Sequence, residues 1–101
     1  MKREVRLLPV ARSEFDDGVS WFDDKRVGLG NEFIGAVSEA LNTISETPFI
    51  YRRVYREVRA TSVQGFPYQI FYRVLEDDSI EVLSVFQVRR SPAIWKDRSK
   101  S

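Results

Sequence analysis

Residues 66–75 read Phe66-Pro67-Tyr68-Gln69-Ile70-Phe71-Tyr72-Arg73-Val74-Leu75, and this stretch decides the fold. Apolar side chains stand at Phe66, Tyr68, Ile70, Tyr72 and Val74, and again at Phe71 and Leu75 on the alternate positions. A strand with that pattern is apolar on both faces, so it must be covered on both, which predicts the centre of a sheet. Pro67 has no donor N–H and suits the start of such a strand rather than its middle. Taken singly, these residues are ordinary core, with tyrosines whose hydroxyls reach the rim.

Working outward, Glu76-Asp77-Asp78-Ser79 reads as a turn and Ile80 to Val88 as the next strand of a meander. Upstream, Val54 to Thr61 alternates loosely, is rich in arginine, and is expected to be one strand. Glu4 to Leu8 is a short first strand ended by Pro9. Between them the period changes. Ala11, Phe15, Val19 and Phe22 are spaced four, four and three apart, which predicts a helix over about 10–26. Ser13 with Asp16 has capping-box spacing, and Glu14, Asp16 and Asp17 suit a helix N-terminus as Lys25 and Arg26 suit the other end. Gly28-Leu29-Gly30 supplies a tight turn. A second helix is expected over about 31–46, with Phe33, Val37, Leu41 and Ile44 on one stripe, stopped by Thr47-Pro48. Two helices joined so closely form an antiparallel hairpin. The expected class is α+β, in the order β-α-α-β-β-β, with the hairpin packed on a small, mainly antiparallel sheet. Ser91-Pro92 ends the last strand, and Ala93 to Ser101 is a candidate short helix carrying Trp95.

A chain of 101 residues has room for one domain, expected to span 1–101, and 43% hydrophobic residues suffice for a core. There is no cysteine and no histidine, which removes disulfides, thiolate nucleophiles, Cys/His zinc sites and histidine-based triads together. No cofactor and no metal are expected: the Asp16-Asp17 and Asp23-Asp24 pairs read as solvated charge on a helix surface. No apolar run approaches about 18 residues and none resembles a signal peptide, so the expectation is a cytoplasmic protein without a membrane partner. The formal charge is only +1, so no global basic field points to nucleic acid. The charges are nonetheless clustered. Arg52, Arg53, Arg56 and Arg59 face a single Glu57, and Arg89, Arg90, Lys96, Arg98 and Lys100 face only Asp97. Trp21 lies one step off the main stripe of the first helix. It belongs either to a wide buried stripe or to an exposed anchor for a partner segment.

Gly28-Leu29-Gly30 with Glu32-Phe33, then Phe66-Pro67-Tyr68, then Arg90-Ser91-Pro92 with Trp95 and Arg98, resemble in order and spacing the RelE/ParE superfamily of type II toxin–antitoxin toxins. The resemblance covers Ala11 to Arg98. It implies a helical hairpin on a small sheet. It also implies a cognate, ParD-like antitoxin that folds on binding, wraps the toxin in a hetero-oligomer and neutralises it. Trp21 is then the candidate antitoxin anchor.

The superfamily implies one of two activities. RelE-like members cleave messenger RNA on the ribosome without a metal, which needs a base, a cation for the phosphorane and an acid. At the places such members use, this chain has Gln69, Arg56, Val58, Gln87 and Trp95, of which Gln69 carries no charge and Trp95 no labile proton. A different set, Arg59, Arg73, Tyr68 and Tyr72, keeps the ribosome-dependent endoribonuclease open as the alternative. ParE-like members inhibit DNA gyrase by binding and need no catalytic set, which is the favoured reading. Its candidate target-binding residues are Arg89, Arg90, Trp95 and Arg98, whose bland counterpart is a solvated tail. A further alternative is a degenerate member that binds antitoxin and has lost toxicity.

Overall fold

The computed structural model describes residues 2–88. Its elements follow the order β1 (Val5–Leu7), α1 (Pro9–Lys25), α2 (Leu29–Glu46), β2 (Arg53–Tyr55), β3 (Val58–Ser62), β4 (Tyr68–Val74) and β5 (Ile80–Gln87). The strands form one sheet in the order β1-β5-β4-β3-β2. β1 runs parallel to β5, with Val5 opposite Ile80, and the other neighbours are antiparallel. The strand read as central, β4, has β5 on one side and β3 on the other. The fold is α+β, a helical hairpin on a mixed, mainly antiparallel sheet, as expected.

Alternation along β4 builds two cores. Tyr68, Ile70 and Tyr72 face the helices, where Ala11 and Phe22 of α1 and Phe33, Val37 and Ile44 of α2 meet Ile80, Val82 and Val85 of β5. Phe71 points the other way, into a smaller buried cluster with Val58, Leu83 and Phe86. The helix-side face of β4 is apolar throughout, whereas the other face buries Phe71 between half-buried Gln69 and Arg73. The hairpin closes tightly at Gly18, where an added methyl would stand 2.8 Å from the Phe33 ring, so only glycine lets α1 approach α2 so closely. Phe22, Phe33, Phe66 and Tyr68 share an aromatic cluster, with ring centroids 4.8–5.9 Å apart.

Several local expectations are corrected. α1 starts at Pro9, with Leu8 as its N-cap, so Ser13 and Asp16 lie a turn inside it and form no capping box. Proline at the first position costs nothing there, because that N–H has no helical partner in any case. Asp16 instead pairs with Arg12 across one exposed turn. Glu14 does not serve the helix end at all. Phe71 faces Ser84 while Tyr72 faces Val82, so β5 carries one extra residue there. One Glu14 carboxylate oxygen accepts from the Ser84 hydroxyl (2.9 Å) and from the Val85 N–H (3.1 Å), and so ties α1 to that bulge. Asp23 is not merely solvated charge: it accepts the Gly30 N–H at 2.8 Å and satisfies a donor at the start of α2. Gly28 is left-handed (φ 89°) and Gly30 already helical, so α2 begins two residues before the expected Asn31.

The arginine-rich segment is two strands rather than one. The chain reverses at Arg56-Glu57, and Arg53 of β2 pairs with Arg59 of β3. Arg56 takes a positive φ of 52°, a position usually given to glycine or asparagine. β2 is thereby an outer edge of the sheet.

Candidate interaction surface

The alternative catalytic set does not converge. Arg59 and Tyr72 are Cα partners across β3 and β4 and share the helix-side face with Tyr68. Arg73 follows Tyr72 and points to the opposite face. Each is occupied structurally. The Arg59 guanidinium donates to the carbonyls of Tyr51 (2.6 Å) and Phe49 (3.5 Å). Arg73 pairs with Glu81 at 2.8 Å and with Glu57 at 3.7 Å, so its charge is neutralised within the fold. Tyr68 is buried against Phe33 and Phe22.

Tyr72 is fully buried, and its hydroxyl donates to the Pro48 carbonyl at 2.5 Å. Burial pushes its pKa from 10.0 up to about 12, with the nearby Arg59 charge opposing the rise in part. A phenol shifted that way is a poor base near neutral pH. Of the places RelE-like members use, Val58 is buried, Arg56 is exposed on the β2–β3 turn, and Gln69 and Gln87 are half-buried. Among the described residues no three carboxylates lie close enough to hold a metal ion. No described helix is long and apolar enough to cross a membrane.

Trp21 projects from α1 with 50% of its surface exposed. Its ring packs edge-on against Phe22 at 5.1 Å, with the Lys25 ammonium 4.5 Å from its centroid. The buried-stripe reading is therefore set aside in favour of a half-exposed aromatic fixed on a helix. Arg89, Arg90, Trp95 and Arg98 lie outside the described residues.

A second exposed cluster was visible in the sequence only as a run of arginines. Between α2 and β3 the chain presents Phe49, Ile50 and Val54 to solvent, interleaved with exposed Arg52, Arg53 and Arg56. Their apolar character carried no period that would have marked them as surface.

The helical hairpin on a five-stranded mixed sheet, with Arg59 taken up by carbonyls and Arg73 by carboxylates, is the frame that the resemblance to the RelE/ParE superfamily implied. The sequence matches the family described as the ParE toxin of type II toxin-antitoxin system, parDE, over residues 5–92. The chain belongs to that family. Among solved structures it is similar to a chain from the "Chromosomal ParDE TA system from P. aeruginosa". The TM-score is 0.74 at 13% identity, covering 86% of this chain and 97% of that one, a likeness of fold. Comparison with curated protein sequences gives no match.

Proposed function

We propose that this toxin acts as a single domain inside the cell, inhibits DNA gyrase by binding it, and is neutralised by a cognate, ParD-like antitoxin. One observation carries the choice of binding over catalysis. Arg59, Arg73, Tyr68 and Tyr72, the residues available for message cleavage, are committed to backbone carbonyls, carboxylates and core packing on two faces of the sheet. Such a set offers neither a convergent cation nor a free acid to a phosphorane. A binding inhibitor needs only a surface, and the basic run from Arg89 and Arg90 through Trp95 to Arg98 is the candidate for it.

The test is expression in cells with two readouts, a DNA-damage response and cleavage of translated messages. The toxin is expected to raise the first and leave messages intact, and deletion of residues 93–101 is expected to abolish growth inhibition. Codon-defined cleavage that survives the deletion and is lost in Arg59→Ala or Arg73→Ala would establish the nuclease instead.

A further inference from the structure

Residues 49–56 combine features that the proposed activity leaves unused. Ile50 is 65% exposed and Phe49 57%, with Val54 beside them on the edge strand. Arg52, Arg53 and Arg56 are exposed, and none makes an ion pair among the described residues. The carboxylate within their own run, Glu57, is turned toward Arg73. The segment is also held in place. Tyr72 anchors the Pro48 carbonyl, Arg59 holds the carbonyls of Phe49 and Tyr51, and the guanidinium groups of Arg3 and Arg59 lie 5.6 and 5.2 Å from the Phe49 ring.

Charge on an edge strand is a common device against pairing with another sheet, and the arginines alone need no other explanation. That device requires charge only. It does not account for an aromatic ring held in solvent beside the charges with exposed Ile50 next to it, and a ring held in place loses little entropy on docking.

We propose that this basic, apolar knuckle is the docking surface for an acidic segment of the antitoxin that carries apolar side chains between its carboxylates. The inference rests on the antitoxin reading above. A polypeptide fits the chemistry better than a nucleic acid. Phe49 already has two guanidinium groups within cation–π range, and Ile50 and Val54 offer aliphatic surface where single strands are held by free aromatic platforms. A second copy of this chain fits poorly, because a two-fold contact here would set arginines against arginines.

The test uses the toxin and the antitoxin encoded beside it, with binding kinetics measured across a range of salt. Combined Arg52→Glu, Arg53→Glu and Arg56→Glu should weaken the complex by about a hundredfold, slow association and flatten its salt dependence. The variant should keep the thermal stability of the wild type and its growth inhibition, and so remain toxic while escaping neutralisation. If the reversed charges perturb folding, Arg→Gln at the same three positions and Ile50→Asp alone carry the test, each expected to weaken binding by at least about tenfold. Equal binding by the variants and the wild type would overturn the surface while leaving the antitoxin reading intact. Failure of the wild-type toxin to bind the antitoxin would overturn both. Oligonucleotide binding or self-association lost in the variants, with antitoxin binding unchanged, would assign the surface to another partner.

Discussion

Replacing Tyr72 by phenylalanine removes one oxygen from the middle of the fold and leaves the Pro48 carbonyl, itself on a buried residue, without its donor. Leaving a buried acceptor unpaired costs about 1–3 kcal/mol. For a domain of this size that lowers Tm by about 4–8 °C for each kcal/mol. The same hydroxyl ties stability to alkaline pH. Its pKa is about 12 folded against 10.0 unfolded, so the folded state disfavours ionisation. The stabilisation is fully present below pH 10 and is lost as pH rises from 10 toward 12. Two units amount to about 2–3 kcal/mol. Urea unfolding followed by tryptophan fluorescence at pH 8 and at pH 11.5 reads both effects. Tyr72→Phe should be the less stable protein at pH 8, and the gap should narrow at pH 11.5 as the wild type alone loses this contribution. Equal midpoints at pH 8, or a gap that widens with pH, would refute the assignment of Tyr72 as the buried anchor of the 48–51 loop.

Three further substitutions probe the tie from α1 to the β5 bulge and the exposed tryptophan. Glu14→Ala should destabilise the fold by about 1–3 kcal/mol by stranding the Val85 N–H and the Ser84 hydroxyl, whereas Asp16→Ala, two residues away in an exposed pair, should change it by less than about 0.5 kcal/mol; thermal unfolding of the two side by side is sufficient. Trp21→Ala should leave Tm nearly unchanged yet weaken antitoxin binding by about 2 kcal/mol, roughly thirtyfold in Kd, as read by calorimetric titration.

The parts of the fold that were legible in the sequence are those set by periodicity. The doubly apolar pattern at 66–75 reported burial on two faces, and Ile70 and Phe71 do lie in different cores. The helical stripe through Phe33, Val37 and Ile44 likewise follows from spacing alone. What escaped depends on partners distant in sequence. Glu14 looks like a helix-end charge and Asp23 like solvated charge, but Glu14 is directed to a bulge 70 residues on and Asp23 across the helix hairpin to Gly30. The β2–β3 reversal was hidden because its left-handed residue is Arg56 rather than glycine or asparagine. At the candidate sites, residue type suggested reactive cations, whereas the registers of β3, β4 and β5 decide that Arg59 meets carbonyls and Arg73 meets Glu81 and Glu57. The exposure of Trp21 could not be read from a stripe that borders the helix–helix contact.

The proposed inhibition of gyrase by binding is measured most directly as DNA supercoiling by purified gyrase titrated with purified toxin, run beside a translation extract that reports message integrity. Supercoiling should fall with toxin dose, recover when antitoxin is added, and be unaffected by toxin lacking residues 93–101, while messages in the extract stay whole. Unimpaired supercoiling together with codon-defined message cleavage would contradict it.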